Sequence, residues 1–231
     1  MNKVLIEKTI YFSLFVQILS TLLSFDGVNL KLNKKDIVLK DILKLELFVQ
    51  VIESLFYIWV IFALKNFNEM TSRRYIDWVI TTPTMLLSTI IFMKYQEFKE
   101  NKNNESIDFF DFLKTDKQNI IKIVIFNGLM LLFGYLGENN IMNKPLAILI
   151  GFYFFYKSFY LIYNQYAMKS ELGKKLFNFL FIIWGLYGVS ASFDVVSKNV
   201  SYNLLDIIAK NFYGLFIYYI IKQNHKNLKN T

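Results

Sequence analysis

Seven stretches of this sequence, at about 4 to 25, 42 to 64, 75 to 93, 120 to 137, 145 to 167, 176 to 194 and 202 to 221, are predominantly apolar. None is shorter than about 18 residues, and a helix needs roughly 20 to cross the hydrocarbon core of a bilayer. Transmembrane β-strands would instead alternate apolar and polar in runs of about ten. Segments such as 147–156 are apolar on every face, so helices are the better reading. The expected fold class is an all-α membrane protein, a seven-transmembrane helix bundle forming one domain over 1–231. The 55% hydrophobic content of the 231 residues fills those spans and leaves only short loops.

Residue counts remove several functions. With no cysteine there are no disulfides, thiolate zinc sites or cysteine nucleophiles. The one histidine, His225, sits in a lysine-rich tail. No metal site and no enzyme is expected from such a set. The formal net charge is +8, but its lysines are scattered between apolar runs and form no stripe for nucleic acid. They instead report topology: 15 basic residues fall on one set of span ends and 7 on the other. Cytoplasmic loops collect Lys and Arg, which places the N-terminus extracellular and the C-terminus cytoplasmic. The first span is followed by Ser24-Phe-Asp-Gly27 and polar loop without a small-residue cleavage site, so it reads as a retained helix in an integral, multi-pass protein of a cell membrane. The longest loop, roughly Lys94 to Asn119, mixes charge signs and reads as solvated surface, with Phe109 and Phe110 at the interface. Pro145 falls at a helix start, and Pro83 lies in mid-span, where it removes a backbone hydrogen bond and kinks a helix.

The charges inside the apolar runs carry the functional signal. Each ionisable group at mid-bilayer costs about 2.5 to 3.5 kcal/mol, so Glu46, Glu53, Asp77, Asp206 and Lys210 must face inward and compensate one another. Their spacing allows it. Asn199, Asn203, Asp206 and Lys210 recur at helical intervals on the last span; Arg74, Asp77, Thr81 and Ser88 do so on the third; Glu46, Gln50 and Glu53 do so on the second. Lys210 lies too near the middle of its run to snorkel to an interface. For Glu46 and Glu53, hydrogen-bonded packing and an ion path stand equally open.

Two motifs resemble the microbial (type I) rhodopsins, seven-helix proteins that carry retinal on a lysine of the last helix: Arg74-Tyr-Ile-Asp77-Trp78-Val-Ile-Thr81-Thr82-Pro83 and Leu205-Asp206-Ile-Ile-Ala-Lys210. Trp184 and Tyr187, and more loosely Asn127, Met130 and Gly134, fit the family's pocket pattern. The resemblance implies all-trans retinal as a protonated Schiff base on Lys210, with Asp77 and Asp206 as counterions. It implies Trp78 and Trp184 as the walls of the pocket, and Tyr187, Thr82, Met85, Met130 and Gly134 as its remaining lining. It also implies Arg74 as an extracellular charge relay, Thr81 within hydrogen-bond reach of Asp77, and a homo-oligomer in a lipid bilayer.

Departures matter too. Ser88 stands where many outward proton pumps carry a carboxylate donor. Gly188 and Ala191 replace a proline and a tryptophan common in the family, and Lys198 lies where a proton-release glutamate is expected. With the acidic second span, these features look most like the rhodopsins of giant viruses of algae and protists. Asp77, Thr81, Asp206 and Arg74 together favour a light-driven outward proton pump. A light-gated cation channel lined by Glu46, Gln50, Glu53 and Asn203 is the alternative, since carboxylate linings favour cations. A photosensor signalling through a partner comes third. The transported species would be protons or small cations.

Overall fold

The computed structural model describes residues 2–62, 67–102 and 105–230. Of the basic residues used to orient the chain, Lys65 and the side chain of Lys3 lie outside the described residues. The helices are α1 (Asn2–Asn29), α2 (Val38–Phe62), α3 (Phe67–Glu100), a short α4 (Phe109–Thr115), α5 (Lys117–Glu138), α6 (Lys144–Gln165), α7 (Glu171–Ser190), α8 (Val195–Asp206) and α9 (Phe212–Lys229). No strand occurs among the described residues. Seven spans are long and apolar enough to cross a bilayer: Val4–Asn29, Lys34–Phe62, Met70–Glu100, Lys117–Glu138, Lys144–Lys169, Glu171–Ser190 and Val195–Lys229. The last is α8 and α9 joined by a π turn, Ile207–Asn211, around Lys210.

The helices outrun the apolar stretches at several ends, because hydropathy marks the hydrocarbon-crossing part of a helix and not its caps. α7 begins five residues earlier than its apolar run and ends at Ser190 rather than at 194. The loop expected from Lys94 to Asn119 is largely helical: α3 continues to Glu100, and Asp108 starts α4 by accepting bonds from the Phe110 and Asp111 backbone N–H groups at 2.9 Å each. Phe109 packs against the core and Phe110 is exposed. Ser170 caps α7 at Gly173, and the Glu100 carboxylate accepts from the Glu171 and Leu172 N–H groups, tying the end of α3 to the start of α7. Asn143 caps α6 ahead of Pro145. Asp194 caps α8, and its bonds from Ser197 and Val196 hold its carboxyl below the usual carboxylate range. Pro83 lies inside α3 without ending the helix.

Burial runs opposite to that of a water-soluble bundle. Leu22, Phe62, Leu149 and Ile182 are exposed, whereas Ser13, Gln17, Gln50, Arg74 and Asn203 are wholly buried. Lipid is the solvent for the outer face, so polar side chains turn inward to find partners. The α3 helix is the most enclosed span, with two thirds of its window buried, and α2, α5, α7 and α8 all pack against it. One large apolar cluster fills the half of the bundle where α2 begins and α9 ends. The polar residues occupy the other half and the middle.

Candidate functional site

The α3 motif and the seventh span meet at Lys210. Its Nζ lies 2.9 Å from Asp77 Oδ2, 3.0 Å from Glu53 Oε1 and 3.6 Å from Asp206 Oδ1, with all four side chains buried. Three carboxyls from three spans therefore surround one amine. The spacing of Asp206 and Lys210 puts both on one face, and the π turn that follows Asp206 brings the neighbouring Asn211 inward as well.

Asp206 is the most heavily bonded of the three. Its Oδ2 accepts from Tyr57 at 2.7 Å and from Arg74 Nη1 at 2.9 Å, and its Oδ1 accepts from Tyr187 at 2.8 Å. The Arg74 guanidinium also reaches the Asn203 side-chain oxygen, and Phe56, Tyr57 and Tyr202 rings flank it at 5.5 to 5.7 Å. Asp77 keeps one oxygen on Lys210, while its Oδ1 has no hydrogen-bond partner among the described residues. Thr81 does not reach that carboxylate: its hydroxyl donates to the Asp77 backbone carbonyl at 3.0 Å, as hydroxyls four residues along a helix commonly do. Ser88 donates to Glu46 from the facing helix, one level further along the bundle. Gln50 lies between the levels of Glu46 and Glu53. A Cβ on Gly214 would collide with its amide nitrogen, so that glycine makes room for it.

Beside Lys210 runs an apolar slot that the residues expected for a chromophore line together: Trp78, Thr82, Met85, Met130, Gly134, Trp184 and Tyr187, with Lys210 itself. Small residues keep it open. A Cβ at Gly188 would sit 2.5 Å from the Phe152 ring, and one at Gly134 2.6 Å from the Tyr75 hydroxyl. The Thr82 hydroxyl is satisfied within the protein, donating to the Trp78 carbonyl at 2.7 Å and accepting from Asn127 at 2.7 Å. A long apolar molecule bearing one electrophilic carbonyl fits this lining, with its reactive end at Lys210.

Several partners were not read from the sequence. Tyr57 extends the Glu46, Gln50, Glu53 stripe by one more helical step. The α1 helix carries Ser13, Gln17, Ser20 and Ser24 at intervals of 4, 3 and 4, all buried. Ser13 donates to the Asn203 carbonyl, Asn203 Nδ2 donates to Thr9, and Asn211 Nδ2 donates to Gln17 Oε1 and Ser20 Oγ. Both features were legible as spacing, although serines in membrane helices often only bond their own backbone, so the signal was weak. Glu138 carried no sequence signal. Its carboxylate lies 2.5 Å from Lys198 Nζ, 60 residues away in the chain, at the end of the bundle where α5 stops and α8 starts. Lys198 thus stands where a release carboxylate was expected, already paired.

The family model for bacteriorhodopsin-like proteins matches residues 6–224. No curated protein sequence matches the chain. Among solved structures, the fold is similar to that of the viral rhodopsin OLPVRII, with 28% identity and a TM-score of 0.80 over 95% of this chain and 98% of that one. It is also similar to Exiguobacterium sibiricum rhodopsin, with 18% identity and a TM-score of 0.74 over 96% and 98%. Halorhodopsin, a light-driven chloride pump, aligns over 97% of both chains with 13% identity and a TM-score of 0.70. This chain belongs to the bacteriorhodopsin-like family of microbial rhodopsins, with a likeness to viral members: integral multi-pass membrane proteins that act as photoreceptors and ion transporters, not as enzymes, and that hold retinal as a Schiff base on a lysine.

Proposed function

We propose that this protein is a light-gated cation channel whose chromophore is all-trans retinal on Lys210. The observation that carries the reading is the file of buried polar side chains between α1, α2 and the seventh span. It runs from Asn199 and Arg74 through Asn203, Ser13 and Glu53 to Gln17, Asn211, Gln50 and Glu46. Buried polar atoms nearly always find a partner, yet Gln17 Nε2, Glu46 Oε2 and both Gln50 amide atoms have none within the described residues. They are groups that water or a hydrated cation would satisfy.

Retinal bound at Lys210 would supply light-driven isomerisation and a displaceable proton on the imine nitrogen. The protein's part is to hold charge around that nitrogen. Asp206, bonded to Tyr57, Arg74 and Tyr187, is fixed as an anion, whereas Asp77 has one oxygen free and 2.9 Å to travel across, so Asp77 is the group placed to take the proton. Glu53 adds a third carboxyl at 3.0 Å. Carboxyl oxygens lining such a path favour cations over anions.

The second reading, an outward proton pump, is favoured by the same Asp77 to Lys210 contact and by Arg74 on Asp206. The sequence alone leaned that way; the α1 stripe moves the balance to the channel. In either case the charge bias of the span ends supports an extracellular N-terminus and a cytoplasmic C-terminus. Voltage-clamped photocurrents decide: a channel's current reverses at the permeant cation's equilibrium potential, and a pump's keeps its sign. A current of fixed sign at every voltage overturns the channel, and no photocurrent at all favours a sensor.

A further inference from the structure

At the end of the bundle where α2 begins and α9 ends, three parts of the chain enclose a polar cavity of about 450 Å³. Asn33 and Lys35 line it from the turn before α2, Lys99 and Lys102 from the end of α3, and Asn224 and Asn227 from the end of α9. The charge bias of the span ends puts this end on the cytoplasmic side. The volume equals roughly fifteen waters at about 30 Å³ each, which is more room than a single small ion fills.

The lining is basic: the amines of Lys35, Lys99 and Lys102 outnumber the carboxylates of Asp36 and Glu105. Asp36 is committed within the protein. Its Oδ1 accepts the Tyr95 hydroxyl hydrogen at 2.6 Å, and Tyr95 accepts in turn from Asn224 Nδ2 at 3.2 Å, which fixes one wall of the cavity. Other acids at this end of the bundle are engaged locally as well. Asp41, Glu97, Asp111 and Glu171 lie 2.7 to 3.8 Å from Lys44, Lys94, Lys114 and Lys174, each three residues away. Glu100 accepts from the start of α7, and Asp108 caps α4. Among the described residues Lys35, Lys99 and Lys102 have no ion-pair partner, and the Lys99 amine lies 5.7 Å from the centre of the Tyr95 ring.

Amines without anionic partners, grouped with side-chain amides around one cavity, suit a ligand that carries phosphates and hydroxyls together. Lysine binds phosphate as a point charge, and an asparagine amide both donates to and accepts from a hydroxyl. Phe98 and Ile107 add an apolar side to the lining, against which the carbon face of a ring can lie. A divalent cation is the competing occupant, but it needs six or more oxygen ligands, and here amines exceed carboxylates. We propose that the cavity binds a phosphorylated polyol, with its phosphates on Lys35, Lys99 and Lys102 and its hydroxyls on the asparagines. A phosphoinositide headgroup in the adjoining leaflet and a soluble inositol phosphate carry the same chemistry, and basic pockets on the cytoplasmic side of membrane helices hold such headgroups. The site is independent of whether light opens a channel or drives a pump.

The test uses the full-length, retinal-loaded protein. Inositol trisphosphate, inorganic phosphate and calcium are each titrated into the detergent-solubilised protein by calorimetry. In a second arm, the thermal midpoint of colour loss is read in phosphatidylcholine vesicles that contain either phosphatidylinositol bisphosphate or, at matched charge, phosphatidylserine. The expected result is saturable binding of the trisphosphate, tighter than that of inorganic phosphate, or a midpoint raised by the phosphoinositide and not by phosphatidylserine. The first alone assigns a soluble ligand, and the second alone a lipid headgroup. Lys99→Gln combined with Lys102→Gln should weaken binding at least about tenfold and remove any rise in midpoint, with colour retained as the sign of folding. Lys114→Gln combined with Lys174→Gln removes the same charge from the same end of the bundle, at lysines that already have partners, and should change neither. Equal loss in both double variants reduces the response to general surface attraction and overturns the site. A response that inorganic phosphate or phosphatidylserine matches, a response to calcium alone, or none in either arm overturns it as well.

Discussion

Glu53 Oε1 lies 3.0 Å from Lys210 Nζ, almost as near as the Asp77 carboxylate at 2.9 Å. The second span thus contributes a carboxyl directly to the surroundings of the buried amine, and does not merely line a separate path beside it. Replacing it tests both roles at once. Glu53→Gln should reduce the reversing photocurrent several-fold and also move the absorption maximum, because the polar group beside the nitrogen changes. An unaltered current with an unaltered spectrum would leave Glu53 as packing.

Asp77 and Asp206 should separate in the same assay. Asp77→Asn is expected to red-shift absorption and to abolish proton acceptance, seen as loss of the deprotonated photointermediate in flash photolysis, while the dark protein still binds retinal. Asp206→Asn turns one of the two accepting oxygens into a donor, so that either Tyr187 or the Tyr57 and Arg74 pair loses its acceptor, and it leaves a wholly buried guanidinium without its ion pair. That change should lower thermal stability by about 3 kcal/mol or more, as loss of one partner from a buried pair does. Equal stability of the two variants would contradict the division of roles.

Lys210→Ala should leave the purified protein colourless when all-trans retinal is added, because the lining of the slot then has no amine. Retained colour with a visible maximum would refute the attachment site.

Gly188→Ala adds a Cβ 2.5 Å from the Phe152 ring, so that this ring, itself part of the slot's lining, must shift. Retinal uptake should slow and the absorption maximum shift, with helix content by circular dichroism unchanged. Gly128→Ala, where nothing lies within 4 Å of the added carbon, is the matched control and should behave as wild type.

The Lys198 to Glu138 pair gives a stability prediction with its own control. Both side chains are at most 10% exposed. Lys198→Met strands a buried carboxylate and should destabilise the protein by about 3 kcal/mol, measured by thermal denaturation. Adding Glu138→Gln should recover most of the loss. If the double variant is no better than the single one, the pair is not what holds the ends of α5 and α8 together.

The sequence by itself determined the seven spans, because the bilayer sets a length and a hydropathy that no loop imitates. It also determined which faces of α2, α3 and the seventh span are polar, because an ionisable group in hydrocarbon must turn inward and helical spacing reveals the common face. Lys210, Asp77 and Asp206 were legible on that basis, and the slot around Trp78 and Trp184 only through the resemblance of the motifs to a known family. Only the tertiary structure decided how the faces meet. It brought Glu53 to Lys210, gave Asp206 to Tyr57 and Arg74, matched Glu138 with Lys198, and set the serines of α1 against Asn203 and Asn211. Periodicity fixes a residue's angle around its own helix axis. The rotation, depth and neighbours of that helix follow from packing contacts between positions as much as 194 residues apart, which no local pattern encodes.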